Sequence, residues 1–160
     1  MTPFRIRDII GATSAEVFGA ERTERVQDVV TDTRKIAKGA LFVALKGERF
    51  NGENFVAEAI ERGAFAVLVS KVFSADETER LAKKAAVLKV ADTQKAYQQI
   101  GHLWREQFKI PVIAITGSNG KTTTKDLTAA VLSARGKVCK TQANFNNEIG
   151  LPLTLLSITK

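Results

Sequence analysis

The feature that most narrows what this chain can fold into lies past its middle. Residues 111–116, Pro-Val-Ile-Ala-Ile-Thr, are an apolar, β-branched run. Gly117-Ser118-Asn119-Gly120-Lys121-Thr122-Thr123 follows at once, then a stretch with Leu127, Val131 and Ala134 on one helical side that ends at Gly136. A buried strand, a glycine loop, Lys-Thr and a helix form the layout that phosphate binding requires. Gly117 and Gly120 tolerate backbone angles and close approaches that a side chain would block. Successive N–H groups of Gly117, Ser118, Asn119 and Gly120 then face phosphate oxygens at the positive end of the following helix. Lys121 reaches the outer phosphates of a nucleoside triphosphate, and the Thr122 hydroxyl, with Thr123 beside it, is placed to ligate Mg²⁺. The common loop carries another glycine where this chain has Ile115, so the match is to a shorter form, G-x-x-G-K-T. These residues predict the phosphates of a nucleotide and Mg²⁺ as ligands, with Lys121 and Thr122 as the catalytic pair.

Short apolar runs alternate with helical segments through the rest of the chain, which predicts an α/β protein. Strands are expected over residues 26–30, 41–45, 65–69 and 86–90, and helices over 54–62, stopped by Gly63, and 76–84. Asp92 reads as the N-cap of a helix reaching about Phe108, with Ala96, Ile100, Leu103 and Trp104 at helical spacing. Trp104 and Phe108 fit its packing face. Pro111 disfavours helical geometry just before it, so a boundary is placed there, with one domain over residues 1–109 and a second opening over 110–160. Residues 137–141 read as a further strand with Cys139 as a small buried thiol. His102 stands without a second histidine or cysteine at ligand spacing and reads as a structural or surface residue.

Composition excludes several classes of partner. No apolar run approaches the roughly 18 residues of a membrane span, and the start lacks a basic flank with an apolar stretch. Cys139 is the only cysteine, so no internal disulfide forms and the cytoplasm is the expected compartment. The net charge of +7 suits an anionic ligand. The basic residues are scattered singly without interleaved aromatics, which argues against nucleic acid.

The loop 116–123 is similar to that of the Mur ligases and of folylpolyglutamate synthase. A second block, residues 141–153, has an N-x-N-N-E-I-G-x-P-L core running from Asn144 to Leu153 that resembles the Mur ligases adding D-alanyl-D-alanine. A third, Thr31-Asp32-Thr33-Arg34 followed by residues 39–52, resembles the UDP-binding domain of the same ligases. Three blocks in the family's order are far more specific than any one alone. The resemblance implies a small UDP-binding α/β domain followed by the start of a P-loop ATPase domain. It implies an ATP-dependent amide ligase of peptidoglycan precursor synthesis, acting as a monomer on UDP-N-acetylmuramoyl-tripeptide and D-alanyl-D-alanine through an acyl phosphate. Thr33 and Glu48-Arg49-Phe50 would line the uridine pocket, and Asn144, Asn146 and Asn147 would face the muramoyl-peptide. Asp32, Arg34, Lys46 and Gly47 fall in the same block. Arg34, Lys46 and Arg49 are cations suited to a diphosphate, and Phe50 is able to pack on a flat ring. Asp32-Thr33-Arg34 is equally readable as a side-chain-bonded turn after a strand, and the asparagines as loop chemistry. Asn51 and Glu53 stand where the family often has aspartate and histidine.

The acidic residue that a P-loop enzyme needs on a later strand lies outside this sequence by the same resemblance. The chain is therefore expected to be an N-terminal portion, inactive alone. Competing readings are a ligase adding the third peptide residue and a non-catalytic UDP-sugar-binding module.

Overall fold

The computed structural model describes residues 4–19, 25–47, 50–142 and 145–159. Among the expected site residues, Glu48, Arg49 and Asn144 lie outside that range. Four short strands carry the fold: β4 (Asp28–Val30), β5 (Ala40–Val43), β6 (Ala66–Val69) and β7 (Ala86–Lys89). They pair parallel and in sequence order, with Val29 opposite Leu41, Phe42 opposite Val67 and Val67 opposite Val87. β2 (Glu16–Phe18) adds an antiparallel edge on β7, giving the order β2-β7-β6-β5-β4. Parallel strands need both faces covered, and every residue of β5 and β6 is buried accordingly.

Alternate residues feed two cores. Val29, Leu41, Val43, Ala66, Leu68, Ala86 and Leu88 face one side. There they meet Ile6 and Ile9 of α1 (Ile6–Thr13), the apolar stripe of α4 (Thr93–Arg105), and Leu156 of α6 (Gly150–Leu156). Val30, Ala40, Phe42, Val67, Val69 and Val87 face the other side, covered by Val56, Ala59 and Ile60 of α2 (Val56–Glu61) and Leu81 of α3 (Ala75–Ala82). The helices start where the sequence supplies caps. Ser74 Oγ accepts from the N–H of Glu77 at 3.2 Å, and Asp92 Oδ1 accepts from those of Gln94 and Lys95 at 2.8 and 3.0 Å. Gly63 follows α2 with φ of 97°, the left-handed value a C-terminal glycine supplies.

Two expectations change in detail. The run over residues 26–30 is broken at Gln27, whose N–H donates to the Gly39 carbonyl at 2.8 Å. Arg25–Val26 (β3) instead pairs antiparallel with Phe4–Arg5 (β1), so one apolar run serves two sheets. The helix opened by Asp92 stops at Arg105, where the guanidinium donates to the carbonyls of Phe108 (2.7 Å) and Ile110 (3.0 Å). Trp104 and Phe108 are buried and stack edge-on at 5.2 Å, as their packing role predicts.

The expectations for residues 111–116 and 137–141 are not met. Neither segment is a strand, and Val112 and Ile113 are 61% and 58% exposed. A fully buried strand needs a hydrogen-bonded neighbour and cover on both faces. Among the described residues neither segment has a paired strand. α5 (Lys121–Ser133) likewise presents Leu127 and Val131 outward, 64% and 72% exposed. Cys139 is exposed rather than buried, with Sγ 3.3 Å from Ser157 Oγ.

Candidate functional site

Ligands of open α/β sheets sit beyond the carboxyl ends of the strands, and the first group of predicted residues gathers there. Asp32, Thr33 and Arg34 follow β4, while Lys46, Gly47 and Phe50 follow β5. The pairing of Val30 with Phe42 sets the two loops side by side. Asp32 caps a single 3-10 turn, Thr33–Lys35, by accepting from the Arg34 N–H at 3.0 Å. The Arg34 guanidinium closes on the same carboxylate, Nε to Oδ1 at 2.9 Å and Nη2 to Oδ2 at 2.7 Å. That pairing holds the Asp32 carboxyl down at about 2. The side-chain-bonded turn expected here is real. Arg34 remains exposed, so its outer N–H groups are open to an anion.

The loop after β5 is a tight hairpin. Gly47 N–H donates to the Phe50 carbonyl at 2.7 Å, Lys46 bridges Asn51, and Gly52 N–H donates to the Leu45 carbonyl at 2.8 Å. A Cβ on Gly52 would lie 2.7 Å from that carbonyl oxygen, so the returning chain needs glycine for closeness. Phe50 is half-exposed and stacks on Phe55 with centroids 5.0 Å apart. This puts a flat apolar surface beside the exposed Lys46. Asn51 and Glu53, whose departure from the family pattern gave no role in sequence, prove to be anchors. Asn51 Oδ1 accepts from the Glu53 N–H at 3.0 Å. Glu53 Oε1 accepts from Ser70 N–H (2.8 Å), Ser70 Oγ (2.8 Å) and Lys71 N–H (2.6 Å). The hairpin is thereby tied to the carboxyl end of β6.

The phosphate loop is carried separately, at the head of α5. Gly117 and Gly120 have φ of 145° and 77°, both glycine-favouring values. Gly120 is the N-cap and gives no side-chain hydrogen bond, so the first-turn N–H groups keep their donors for a ligand. Lys121 Nζ folds back to donate to the carbonyls of Gly117 and Ser118. Ser118, Asn119, Thr122 and Thr123 are exposed around it. The exposed Thr122 hydroxyl has the hard oxygen donor that a Mg²⁺ ion would take as one ligand. No cluster of three acidic, histidine or cysteine side chains able to hold a metal occurs among the described residues.

The third block forms the approach to α6. Asn146 is exposed. Asn147 Oδ1 closes the turn that leads into the helix, accepting from the N–H groups of Ile149 (3.3 Å) and Gly150 (2.8 Å). Its side-chain oxygen therefore serves the loop chemistry foreseen as the plain alternative. Glu148, quoted in the motif without a role, accepts from the Gln94 side chain, and its main-chain carbonyl accepts from Gln98 Nε2 at 3.4 Å. Nothing in the spacing of a single glutamate signals a partner 54 residues away in sequence. α6 then lies on α4 so closely that a Cβ on Gly101 would come within 3.1 Å of Pro152 Cα, and Trp104 Nε1 donates to the Ile158 carbonyl at 3.1 Å. His102 is a surface residue 3.3 Å from Glu106 one turn on. Among the described residues no helix is long and apolar enough to cross a membrane.

The chain is similar to known proteins over nearly its whole length. Residues 25–105 match the profile described as Mur ligase family, catalytic domain, and residues 115–160 match Mur ligase middle domain. The chain is 45% identical over 156 residues to the UDP-N-acetylmuramoyl-tripeptide--D-alanyl-D-alanine ligase of Synechocystis, a match covering 98% of this chain and 33% of the relative. A crystal structure of MurF from Acinetobacter baumannii superposes with a TM-score of 0.87 at 34% identity, covering 99% of this chain and 34% of that one. MurF ligase from Thermotoga maritima in complex with ADP gives a TM-score of 0.68 at 33% identity, over 84% of this chain and 30% of that one. The chain thus spans about a third of the length of the relatives it matches.

Proposed function

This chain belongs to the Mur ligase family, and from that premise we propose that it supplies the nucleotide-sugar-binding domain and the phosphate loop of an ATP-dependent amide ligase. The substrates are UDP-N-acetylmuramoyl-tripeptide and D-alanyl-D-alanine. The boundary between its two parts lies near residues 109 and 110. The whole protein works in the cytoplasm as a monomer, where both the nucleotide-linked precursor and ATP are found.

In the reaction, the terminal carboxylate of the tripeptide attacks the γ-phosphorus of ATP, releasing ADP and forming an acyl phosphate. The amine of D-alanyl-D-alanine then attacks the acyl carbon, the C–O bond to phosphate breaks, and the amine's proton leaves as the amide forms. This chain's part is positioning and charge. The N–H groups from Gly117 to Gly120 and the first turn of α5 hold the phosphates. Lys121 exchanges its carbonyl partners for phosphate oxygens, and Thr122 with Thr123 borders them. A Mg²⁺ ion, when bound at Thr122, neutralises charge on the transferred group. Arg34 and Lys46 offer charge to the diphosphate, and Phe50 with Thr33 packs the uracil. Glu48 and Arg49 belong to the same pocket, as do Asn144, Asn146 and Asn147 at the peptide end.

The observation that carries this reading is the head of α5: a left-handed glycine cap, uncapped N–H donors and a lysine already curled over the loop. Calorimetric titration of this chain with UDP-N-acetylmuramoyl-tripeptide, against UDP-N-acetylglucosamine, tests the first part. Saturable binding of the former and little of the latter is expected. The full-length protein is expected to release phosphate only with ATP, the tripeptide nucleotide and D-alanyl-D-alanine together. Equal turnover of the dipeptide nucleotide would overturn the assignment of substrate.

A further inference from the structure

The motif Asn146-Asn147-Glu148 contains three polar side chains, and the structure uses them differently. Asn147 is committed to two N–H groups at the start of α6. Glu148 reaches across to α4, taking the Gln94 amide on its carboxylate, while Gln98 one turn further on donates to its main-chain carbonyl. Gly150, where α6 begins, leaves no room for a side chain, since a Cβ there would sit 2.5 Å from the Phe145 backbone. The turn is thus pinned by the Asn147 side chain, a tight glycine and two glutamines of a neighbouring helix, and Asn146 stands exposed on it.

We propose that Glu148 is a positioning residue: with Gln94 it latches the 145–149 turn to α4, so that Asn146 rather than Asn147 is presented to the peptide end of the nucleotide substrate. The inference rests on the ligase reading above for its consequence in turnover, but the latch itself is a property of this chain. α4 is a rigid platform for such a contact. Its other face holds Ala96, Tyr97, Ile100 and Trp104 in the main core, and Asp92 fixes its first turn. A turn tied to that helix keeps a constant position relative to the sheet whose strands β4 and β5 lead into Arg34 and Lys46. A polar contact held to a fraction of an ångström is what in-line transfer demands of the reacting end.

The test is a double-mutant cycle in the full-length protein. Glu148→Ala is expected to lower kcat/KM for the tripeptide nucleotide about tenfold while leaving KM for ATP within about twofold. Glu148→Gln, which keeps an oxygen for Gln94, is expected to restore most of the loss. Gln94→Ala should match Glu148→Ala, and the double variant should be no worse than either, because both remove the same contact. Asn146→Ala should lose at least as much as any of these. Wild-type kcat/KM in Glu148→Ala, or losses that multiply in the double variant, would overturn the proposal. If the wild-type protein shows no tripeptide-dependent phosphate release, the ligase reading has failed instead. The latch is then judged on this chain alone by hydrogen exchange. Glu148→Ala should speed exchange of the Ile149 and Gly150 amides about tenfold and Glu148→Gln less, and unchanged rates would refute it.

Discussion

Two glycines inside helices offer a controlled comparison. Gly11 in α1 and Gly101 in α4 each replace a residue that would favour the helix, and alanine at either should recover about 0.5–1 kcal/mol of propensity. Their surroundings differ. A Cβ at Gly11 meets nothing within 4 Å, whereas one at Gly101 lies 3.1 Å from Pro152 Cα and 3.2 Å from its Cβ. Ordinary carbon contacts begin near 3.5 Å, so α6 would have to retreat by several tenths of an ångström. The atom in the way is backbone, so no side chain can swing aside. Overpacking of this sort costs about 1–3 kcal/mol. Gly11→Ala should therefore stabilise by about 0.5 kcal/mol and Gly101→Ala should destabilise by about 1 kcal/mol, the two separated by roughly 1–3 kcal/mol in urea unfolding of this chain. Trp104, the only tryptophan, reports the cause directly. Its indole donates to the Ile158 carbonyl just beyond α6, so Gly101→Ala should red-shift its emission and Gly11→Ala should not. Alanine variants that move together in stability, or an unshifted emission for Gly101→Ala, would refute the claim that close packing of α6 on α4 decides the outcome.

Three further outcomes follow from single side chains. Glu53→Ala removes one acceptor from three donors at the end of β6, and chemical denaturation should show a loss of about 2 kcal/mol, partly recovered by Glu53→Gln. Tyr97, the only tyrosine, has its phenol pushed up to about 12, chiefly by burial and then by the nearby Asp28 carboxylate. Because the folded state binds this proton more tightly than the unfolded one, the stability it contributes is complete below pH 10 and is lost as pH rises towards 12. Phenolate absorbance should therefore stay absent at pH 10, and half-titration there would contradict the burial. Lys121→Ala should weaken ADP binding at least tenfold while leaving the unfolding midpoint unchanged, since among the described residues Lys121 Nζ donates only to the carbonyls of Gly117 and Ser118 in its own exposed loop.

Much of this arrangement was legible before the structure. Runs such as Ala40-Leu41-Phe42-Val43 and Ala66-Val67-Leu68-Val69 announce strands buried on both faces, and the caps at Asp92 and Gly63 mark helix ends by local chemistry. What failed depended on partners distant in sequence. The run at 111–116 has every property of a buried strand except, among the described residues, a neighbour to pair with, and composition cannot supply that information. Residues 26–30 divide because Arg25–Val26 pair with Phe4–Arg5 in a second sheet while Asp28–Val30 pair with β5, a choice made by the partner strands rather than by the residues of the run. Phe50 and Arg34 were found by resemblance and by charge, and the structure places both beyond the carboxyl ends of neighbouring strands, β5 and β4. Glu53 and Glu148 were passed over because a carboxylate that anchors a turn looks, in sequence, like any solvated acid.

The docking of α6 has a consequence for the order in which the chain acquires its shape. Leu156 and Ile158 share a core with Phe4 and Trp104, and the bond from Trp104 to Ile158 spans 54 residues. During synthesis, then, the layer begun at Phe4 lacks its last pieces after Trp104 has been made. The phosphate loop and all of α5 must emerge first, a delay of about 3–10 s at ordinary elongation rates. Over that interval the indole N–H of Trp104 waits without its carbonyl acceptor. Closure across so long an intervening loop adds little entropy cost beyond that of a shorter one. The arrival of Ile158 therefore completes a core whose first residue, Phe4, was made at the other end of the chain.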